Sequence, residues 1–368
     1  MSADEALLAA MVDALVQKGI LRSTEVEAAF RAVPRHLFLP GFASEEVYQG
    51  GAIPTHRDAH GNPTSSSSEP GVMAVMLEQL RPAAGQRWLE VGAGTGYNAA
   101  IIATLVGSRG RVTSLELQED VAGEAREHLR AAGLADVAVL SGDGWFGAPD
   151  GAPFDRIEVT ASVRDLSPHW VEQLASDGLL LVPLVLRGGA QALVAFLKEG
   201  DHLVSDSVRG GGFMPMRGAH NGFEGRVSFM VDGWTVTPAS VDLHLGSFVE
   251  LFRAVPREEP APAIPPSAGP CLALEDPRAV SMGFGSGSGY RWRFGIYDEA
   301  AASLALLEDG RLLRYGGPDA ADRLRSWAAG ARGIEALGLE AIPSDRAVPN
   351  GPGVLRRHHY TFVLAGAR

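Results

Sequence analysis

Three glycines at alternate positions, Gly92, Gly94 and Gly96, follow the apolar run Arg87–Val91, which carries the acid Glu90 next to its end. An alanine-rich stretch comes next, over 98–105. The order is strand, tight turn, helix. Glycine lets the backbone turn at positive φ and lets a ligand approach the main chain. The helix start behind it offers free N–H groups and the positive end of a dipole. Two further acids stand where later strands end. Glu116 closes a run over 111–117, twenty residues past Gly96. A carboxylate at that distance accepts both hydroxyl protons of a ribose. Asp143 lies in Ser141-Gly142-Asp143-Gly144, just after the short run 137–140. A fourth feature is the serine run Ser65, Ser66, Ser67 and Ser68, a set of small hydroxyl donors.

A dinucleotide fingerprint, G-x-G-x-x-G, would need its third glycine at position 97. That position is Tyr97. Glu90-x-Gly92-x-Gly94-x-Gly96 instead resembles motif I of the S-adenosylmethionine-dependent methyltransferases. The resemblance implies a cofactor set of Glu90, Gly92, Gly94, Thr95, Gly96 and Asn98 in the turn, with Glu116 on the ribose. It places Gly142, Asp143 and Gly144 on the adenine side, where an acid bonds the adenine amino group.

These residues need elements to hold them. Positions 1–45 read as helical, with apolar Leu7, Leu8, Met11, Val12, Leu15 and Val16 on one face. Thr24-x-x-Glu27 predicts a capping box, and Pro34 stops that helix near Val33. Positions 50–70 are rich in Gly, Pro, Ser and Asp and predict a long loop, and a helix covers 71–80. Strands are expected at 88–91, 112–116, 138–140, 155–160 and 178–185, apolar enough to be buried on both faces. Alternation of strands and helices predicts an α/β fold with a doubly wound mixed sheet, and the motif I resemblance implies that it is a Rossmann-like class I methyltransferase. The expected division is an N-terminal helical segment (1–45), a methyltransferase domain (46–217) and a C-terminal α+β accessory domain (218–368). In the last, 225–255 looks strand-rich and the proline-rich 258–270 reads as a linker. Tyr290, Trp292 and Phe294 alternate with Arg291 and Arg293 on a strand. Its aromatics fill the domain's own core, or its arginines meet an acidic peptide. A helix follows at 319–329 and a last strand at 360–364.

The chain has 368 residues, 46% hydrophobic, with net charge −12 and one cysteine, Cys271. A strongly acidic balance argues against a nucleic-acid partner. The single cysteine excludes an internal disulfide and a cysteine-rich metal site, and the histidines show no metal-ligand spacing. No run approaches a membrane span, and positions 1–20 lack the pattern of a secretory signal. The expectation is a cytoplasmic protein with neither membrane nor nucleic-acid partner and no metal.

The stretch up to residue 217 resembles the protein L-isoaspartate (D-aspartate) O-methyltransferases. Val33-Pro34-Arg35-His36-Leu37-Phe38-Leu39-Pro40 is similar to the family's "VPRE-x-F-x-P". Ser66-Ser67-Ser68-Glu69-Pro70 is similar to "T-I-S-Q-P", and 89–100 to "LEIGTGSGYQAA". The segments 141–144 and 153–157 resemble "GDG" and "PFD-x-I". The resemblance implies methyl transfer from S-adenosylmethionine, leaving S-adenosylhomocysteine, to an aspartyl or isoaspartyl carboxylate of a peptide or protein. It places Ser68 as the active-site serine and Ser66, Ser67 and Ser68 on the substrate. By residue type alone the run reads as a flexible loop in which Ser68 or Glu69 caps the next helix. Ser66, Ser67 and Glu69 depart from the family's residues. With the long C-terminal region, the serine run resembles aspartyl O-methyltransferases of ribosomal natural-product clusters (lanthipeptide, graspetide and lasso peptide). There the methyl ester of a precursor aspartate closes to an aspartimide. General isoaspartate repair is the alternative.

Overall fold

The computed structural model describes residues 2–219, 228–240, 245–285, 291–351 and 353–366. The chain forms two compact units. The first comprises Met1–Pro183, Leu193–Gly200 and Phe213–Asn221, and the second Leu184–Ala192, Asp201–Gly212 and Gly222–Arg368.

The first unit begins with α1 (Ala3–Gln17), α2 (Thr24–Ala32) and α3 (Ser44–Tyr48). A capping box does form, but at Ser2 and Glu5. The box expected at Thr24 is absent. Ser23 is the N-cap of α2 and makes no side-chain cap bond. Its hydroxyl donates to Glu78 at 3.0 Å, and Glu78 also accepts the N–H groups of Arg22 and Ser23. A nearly buried carboxylate thus outcompetes a local cap. Val12, Val26 and Phe30 are fully buried in the same apolar core as Trp88, Ile101 and Leu181. The N-terminal helices therefore share a core with the sheet.

The expected loop at 50–70 is largely a hairpin, β1 (Ile53–Arg57) antiparallel to β2 (Pro63–Ser67). Then come α4 (Pro70–Leu80), β3 (Arg87–Val91), α5 (Tyr97–Val106), β4 (Arg111–Glu116), α6 (Glu119–Ala131), β5 (Ala138–Ser141), β6 (Phe154–Val159), α7 (Pro168–Gln173), β7 (Leu174–Val185) and β8 (Gln191–Glu199). The strand order here is β8-β7-β6-β3-β4-β5. β3 is parallel to both β4 and β6, so the winding reverses at β3. Ligands of open α/β sheets bind at such a reversal, beyond the carboxyl ends of the strands. The architecture is the expected Rossmann-like one.

The second unit holds β9 (His202–Gly210), β10 (Phe229–Val231), β11 (Trp234–Pro238), α8 (Leu245–Phe252), β12 (Arg257–Pro260), α9 (Gly269–Glu275), β13 (Ala279–Phe284), β14 (Arg291–Asp298), β15 (Ser303–Glu308), β16 (Arg311–Gly316), α10 (Asp319–Ala328), β17 (Leu337–Pro343), β18 (Val354–Arg356) and β19 (Tyr360–Gly366). A seven-stranded antiparallel sheet runs β10-β11-β13-β14-β15-β16-β12. Alternate residues serve its two faces. Met282, Leu304 and Leu306 pack with Phe248 of α8, whereas Ala305 and Leu307 pack with Leu272 of α9 and Leu324 of α10. β17 pairs with both β9 and β19.

Three expectations change here. The proline-rich segment is no free linker at its start, because Arg257–Pro260 is the edge strand β12, paired to β16. Glu259 fixes it there by accepting from Arg314 at 2.8 Å and from Arg325. Proline is tolerated at such an edge because no ladder donor is needed. The strand-rich stretch over 225–255 includes a helix, α8. Arg291 and Arg293 both pair with the one carboxylate of Glu308, at 2.7 Å each. Phe294 packs in the unit's core, Trp292 is exposed, and Tyr290 lies outside the described residues. Among the described residues no helix is long and apolar enough to cross a membrane.

Candidate active site

The glycine turn links β3 to α5 at the winding reversal. Gly92 has φ +109° and Gly94 φ +52°, which side-chain-bearing residues rarely adopt. Space is the second reason for glycine. A Cβ on Gly92 would stand 2.3 Å from Thr160 Oγ1, and one on Gly94 3.1 Å from the Ser66 carbonyl oxygen. Thr160, just past β6, donates its hydroxyl to the carbonyls of Val91 (3.0 Å) and Gly92 (2.8 Å). The turn is thus stapled to β6 on one side and touched by the serine strand on the other.

Glu116 ends β4 and faces this turn. It accepts the Gly94 N–H at 3.0 Å and the Gln118 N–H at 3.2 Å. Gly142 accepts no crowding: a Cβ there would meet nothing within 4 Å. Leu117 beside Glu116 stays 37% exposed, an apolar surface next to a polar acid. Open main chain, a strand-end acid and an exposed leucine fit a nucleoside, so the residues present suit S-adenosylmethionine.

Other residues expected at the cofactor also make contacts within the protein. Glu90 is fully buried and accepts from Asn98 Nδ2 at 2.8 Å and from the Ser114 hydroxyl. Asn98 Nδ2 also reaches Glu158 at 3.2 Å. Glu90 and Asn98 therefore bond each other inside the protein. Thr95 is nearly buried, its carbonyl oxygen 3.0 Å from His128 Nδ1. Asp143 caps a short 3-10 turn through the Trp145 N–H (3.0 Å) and accepts the Ala219 N–H at 2.7 Å. Both its oxygens are engaged by backbone, although each keeps a lone pair. Gly144 is buried for packing, since a Cβ would lie 2.4 Å from Val91 Cγ1. Gly96 packs likewise against Leu129 of α6.

The serines alternate. Ser65 and Ser67 are buried, whereas Ser66 and Ser68 keep part of their surface open. Ser67 is buried, and its hydroxyl accepts from Arg35 Nη2 at 3.4 Å. Glu69 is exposed and is the N-cap residue of α4, but its side chain makes no cap bond.

Residues 7–221 match the family model described as protein-L-isoaspartate(D-aspartate) O-methyltransferase, PCMT. The chain belongs to this family. Over 210 residues it is 37% identical to the protein-L-isoaspartate O-methyltransferase of Methanoregula boonei, covering 57% of this chain and 92% of that one. A solved structure described as a protein-L-isoaspartate O-methyltransferase is 26% identical, with TM-score 0.56, over 90% of this chain and 96% of its own. A Plasmodium falciparum chain, described as a beta-aspartate methyltransferase in complex with S-adenosyl-L-homocysteine, shares the fold. It is 19% identical with TM-score 0.50, over 59% of this chain and 99% of its own.

This family member has site residues that sequence reasoning passed over. Thr160 is one. Arg217 is another: it donates to the Thr64 carbonyl at 2.8 Å and to Gln118, joining the serine strand to the turn after β4. The segment around it is tied down by Ser162, which bonds Met214 and Met216 through the backbone. Arg35 is the third. It sat in a recognised motif that named no role for it. Nothing in the sequence around Arg217 marks it.

Proposed function

We propose that this methyltransferase moves the methyl group of S-adenosylmethionine to the carboxylate of an isoaspartyl residue in a peptide or protein. When bound, the donor supplies an electrophilic sulfonium methyl. The chain's residues have a positioning task. A carboxylic acid of pKa ~4 is already ionised at neutral pH, so no base has to activate it. What is required is an acceptor oxygen held in line and shielded from water. Glu116 holds the ribose hydroxyls, and the Gly142–Asp143 corner receives the adenine. Ser66 and Ser68 hold the acceptor, with Ser68 as the catalytic serine.

The observation that carries this reading is the approach of Ser66 to Gly94, 3.1 Å from where a Cβ would be. The contact supports a shared place for acceptor and donor, because it sets the serine strand against the glycine turn.

A narrower acceptor is an aspartate of a ribosomal natural-product precursor. After methylation the next backbone nitrogen attacks the ester carbon, methanol leaves, and an aspartimide forms. The Ser66, Ser67 and Glu69 replacements favour it. Chain length does not, because the solved relative at 26% identity spans 90% of this chain. The test offers the full chain an isoaspartyl peptide and its aspartyl counterpart, with mass spectrometry reading the added methyl. Methylation of the isoaspartyl peptide is expected, with Ser68→Ala lowering kcat/KM about 100-fold, the typical effect of losing one positioned donor. Transfer only to the aspartyl form would favour the narrower acceptor. Transfer to neither would overturn the proposal.

A further inference from the structure

Arg35 is completely buried, and every hydrogen bond it makes is to a carbonyl or hydroxyl oxygen. Nη1 donates to the Val47 carbonyl at 2.7 Å. Nη2 donates to the carbonyls of Gly51 and Ser68, both at 3.0 Å, and lies 3.5 Å from that of Ser67. Its Nε is buried without a partner. The guanidinium carbon stands 5.9 Å from the ring centre of Tyr97, the first residue of α5. Burying a cation without a bonded carboxylate is costly, and an apolar residue would fill the space at less expense. The arrangement needs another reason.

The geometry of the peptide bond supplies one. In a trans peptide the C=O and the following N–H point in opposite directions. A guanidinium that draws the Ser67 and Ser68 carbonyls inward therefore turns the N–H groups of Ser68 and Glu69 outward. Both belong to the segment directly before α4. Successive N–H groups turned the same way form a concavity for an anion.

We propose that Arg35 is a positioning residue for the acceptor carboxylate: it orients the peptides on both sides of Ser68, so that the N–H groups of Ser68 and Glu69 join the Ser68 hydroxyl as donors to one oxygen. The planar fork, rather than the charge alone, does this: Nη2 lies within 3.5 Å of three carbonyls and the Ser67 hydroxyl, while Nη1 is held by the Val47 carbonyl. Tyr97 against the guanidinium ties the acceptor segment to the helix behind the glycine turn. The proposal rests on Ser68 facing the acceptor, as argued above.

The test uses full-length Arg35→Lys and Arg35→Met. Calorimetry with S-adenosylhomocysteine should give affinities within about threefold of the parent, while kcat for the isoaspartyl peptide falls about 100-fold in both, the effect expected for misplaced oxyanion-type donors. Lysine must fail as well, because it keeps the charge and loses the fork. Full activity in Arg35→Lys would overturn the proposal. So would equal losses of cofactor affinity, kcat and melting temperature, which mark a merely structural residue. Amide hydrogen exchange of the parent and both variants supplies a readout without turnover. Faster exchange confined to 66–71 in the variants supports the orientation role, and unchanged exchange there overturns it. Should the parent ignore the isoaspartyl peptide, the acceptor reading fails, yet the exchange result still decides what Arg35 does.

Discussion

Two buried carboxyls, Glu90 and Glu158, lie side by side on β3 and β6 with Asn98 bridging them. Burial pushes the Glu90 carboxyl up to about 7, against the bonds from Ser114 and Asn98. Burial, and then the neighbouring Glu90, push Glu158 up to about 8. Glu158 Oε1 and Asn98 Oδ1 are buried without partners, so a proton on Glu158 supplies a donor where two acceptors have none. The ordinary value is 4.5 for both acids. Between that and about 8 the folded chain holds protons that the unfolded chain releases, so their share of stability is present at low pH and is lost as pH rises through the folded values. Glu158→Gln carries a permanent donor and no titration. Thermal melts at pH 6 and pH 9 should show the parent losing more than the variant, with the variant ahead at pH 9 by about 3 °C or more. Parallel losses would sink this account. The sequence marks Glu90 as an acid before a glycine turn but not which way it points. Orientation is decided by Ser114, brought to its side by the sheet register, and by Asn98 from α5.

At the scale of elements, the strands over 87–185 were readable because a sheet covered on both faces leaves near-continuous apolar runs. The hairpin of β1 and β2 was not readable. Its strands carry Pro54, Thr55, His56, Thr64 and Ser66, and such composition signals a loop. What makes it a hairpin is a side chain in its turn. Asp58 accepts the N–H groups of His60 and Asn62 at 2.8 Å each and Asn62 Nδ2 at 3.0 Å. Those Asn62 bonds hold the Asp58 carboxyl below the usual carboxylate range. The far end is fixed by His56, 3.3 Å from Glu124 of α6, and by Arg217 at Thr64. Removing the turn's acceptor should loosen the tip first. Asp58→Ala is expected to be cut within 57–63 about fivefold faster in limited proteolysis, a loss comparable with that of a helix cap. Cofactor affinity should stay unchanged, because Glu116 and the glycine turn are untouched. An unchanged cleavage rate would show that the strand pairing alone sets the hairpin.

At the scale of the molecule, the two units are not consecutive lengths of chain. Leu184–Ala192 and Asp201–Gly212 belong to the second unit, although the chain then returns to the first over Phe213–Asn221. This interlacing bears on any attempt to separate methyl transfer from substrate choice by cutting after Arg217. Such a cut leaves β9 behind and removes β17, its partner at Leu203↔Ala341 and Val204↔Glu340. Leu203 and Val208 are buried in the intact protein, and Ser205 Oγ accepts the Leu339 N–H at 2.8 Å. Stripped of these, β9 becomes an apolar edge strand, the kind that recruits other chains. The fragment 1–217 is therefore expected to elute as aggregate in size-exclusion chromatography. Adding Leu203→Lys and Val208→Lys, charges on that edge, should return it to the monomer volume. A monomeric fragment without those changes, melting as one sharp transition, would mean that β9 needs no partner. Loss of activity in an aggregated fragment says nothing about peptide recognition, so substrate choice has to be tested on the full chain with substitutions in the second unit.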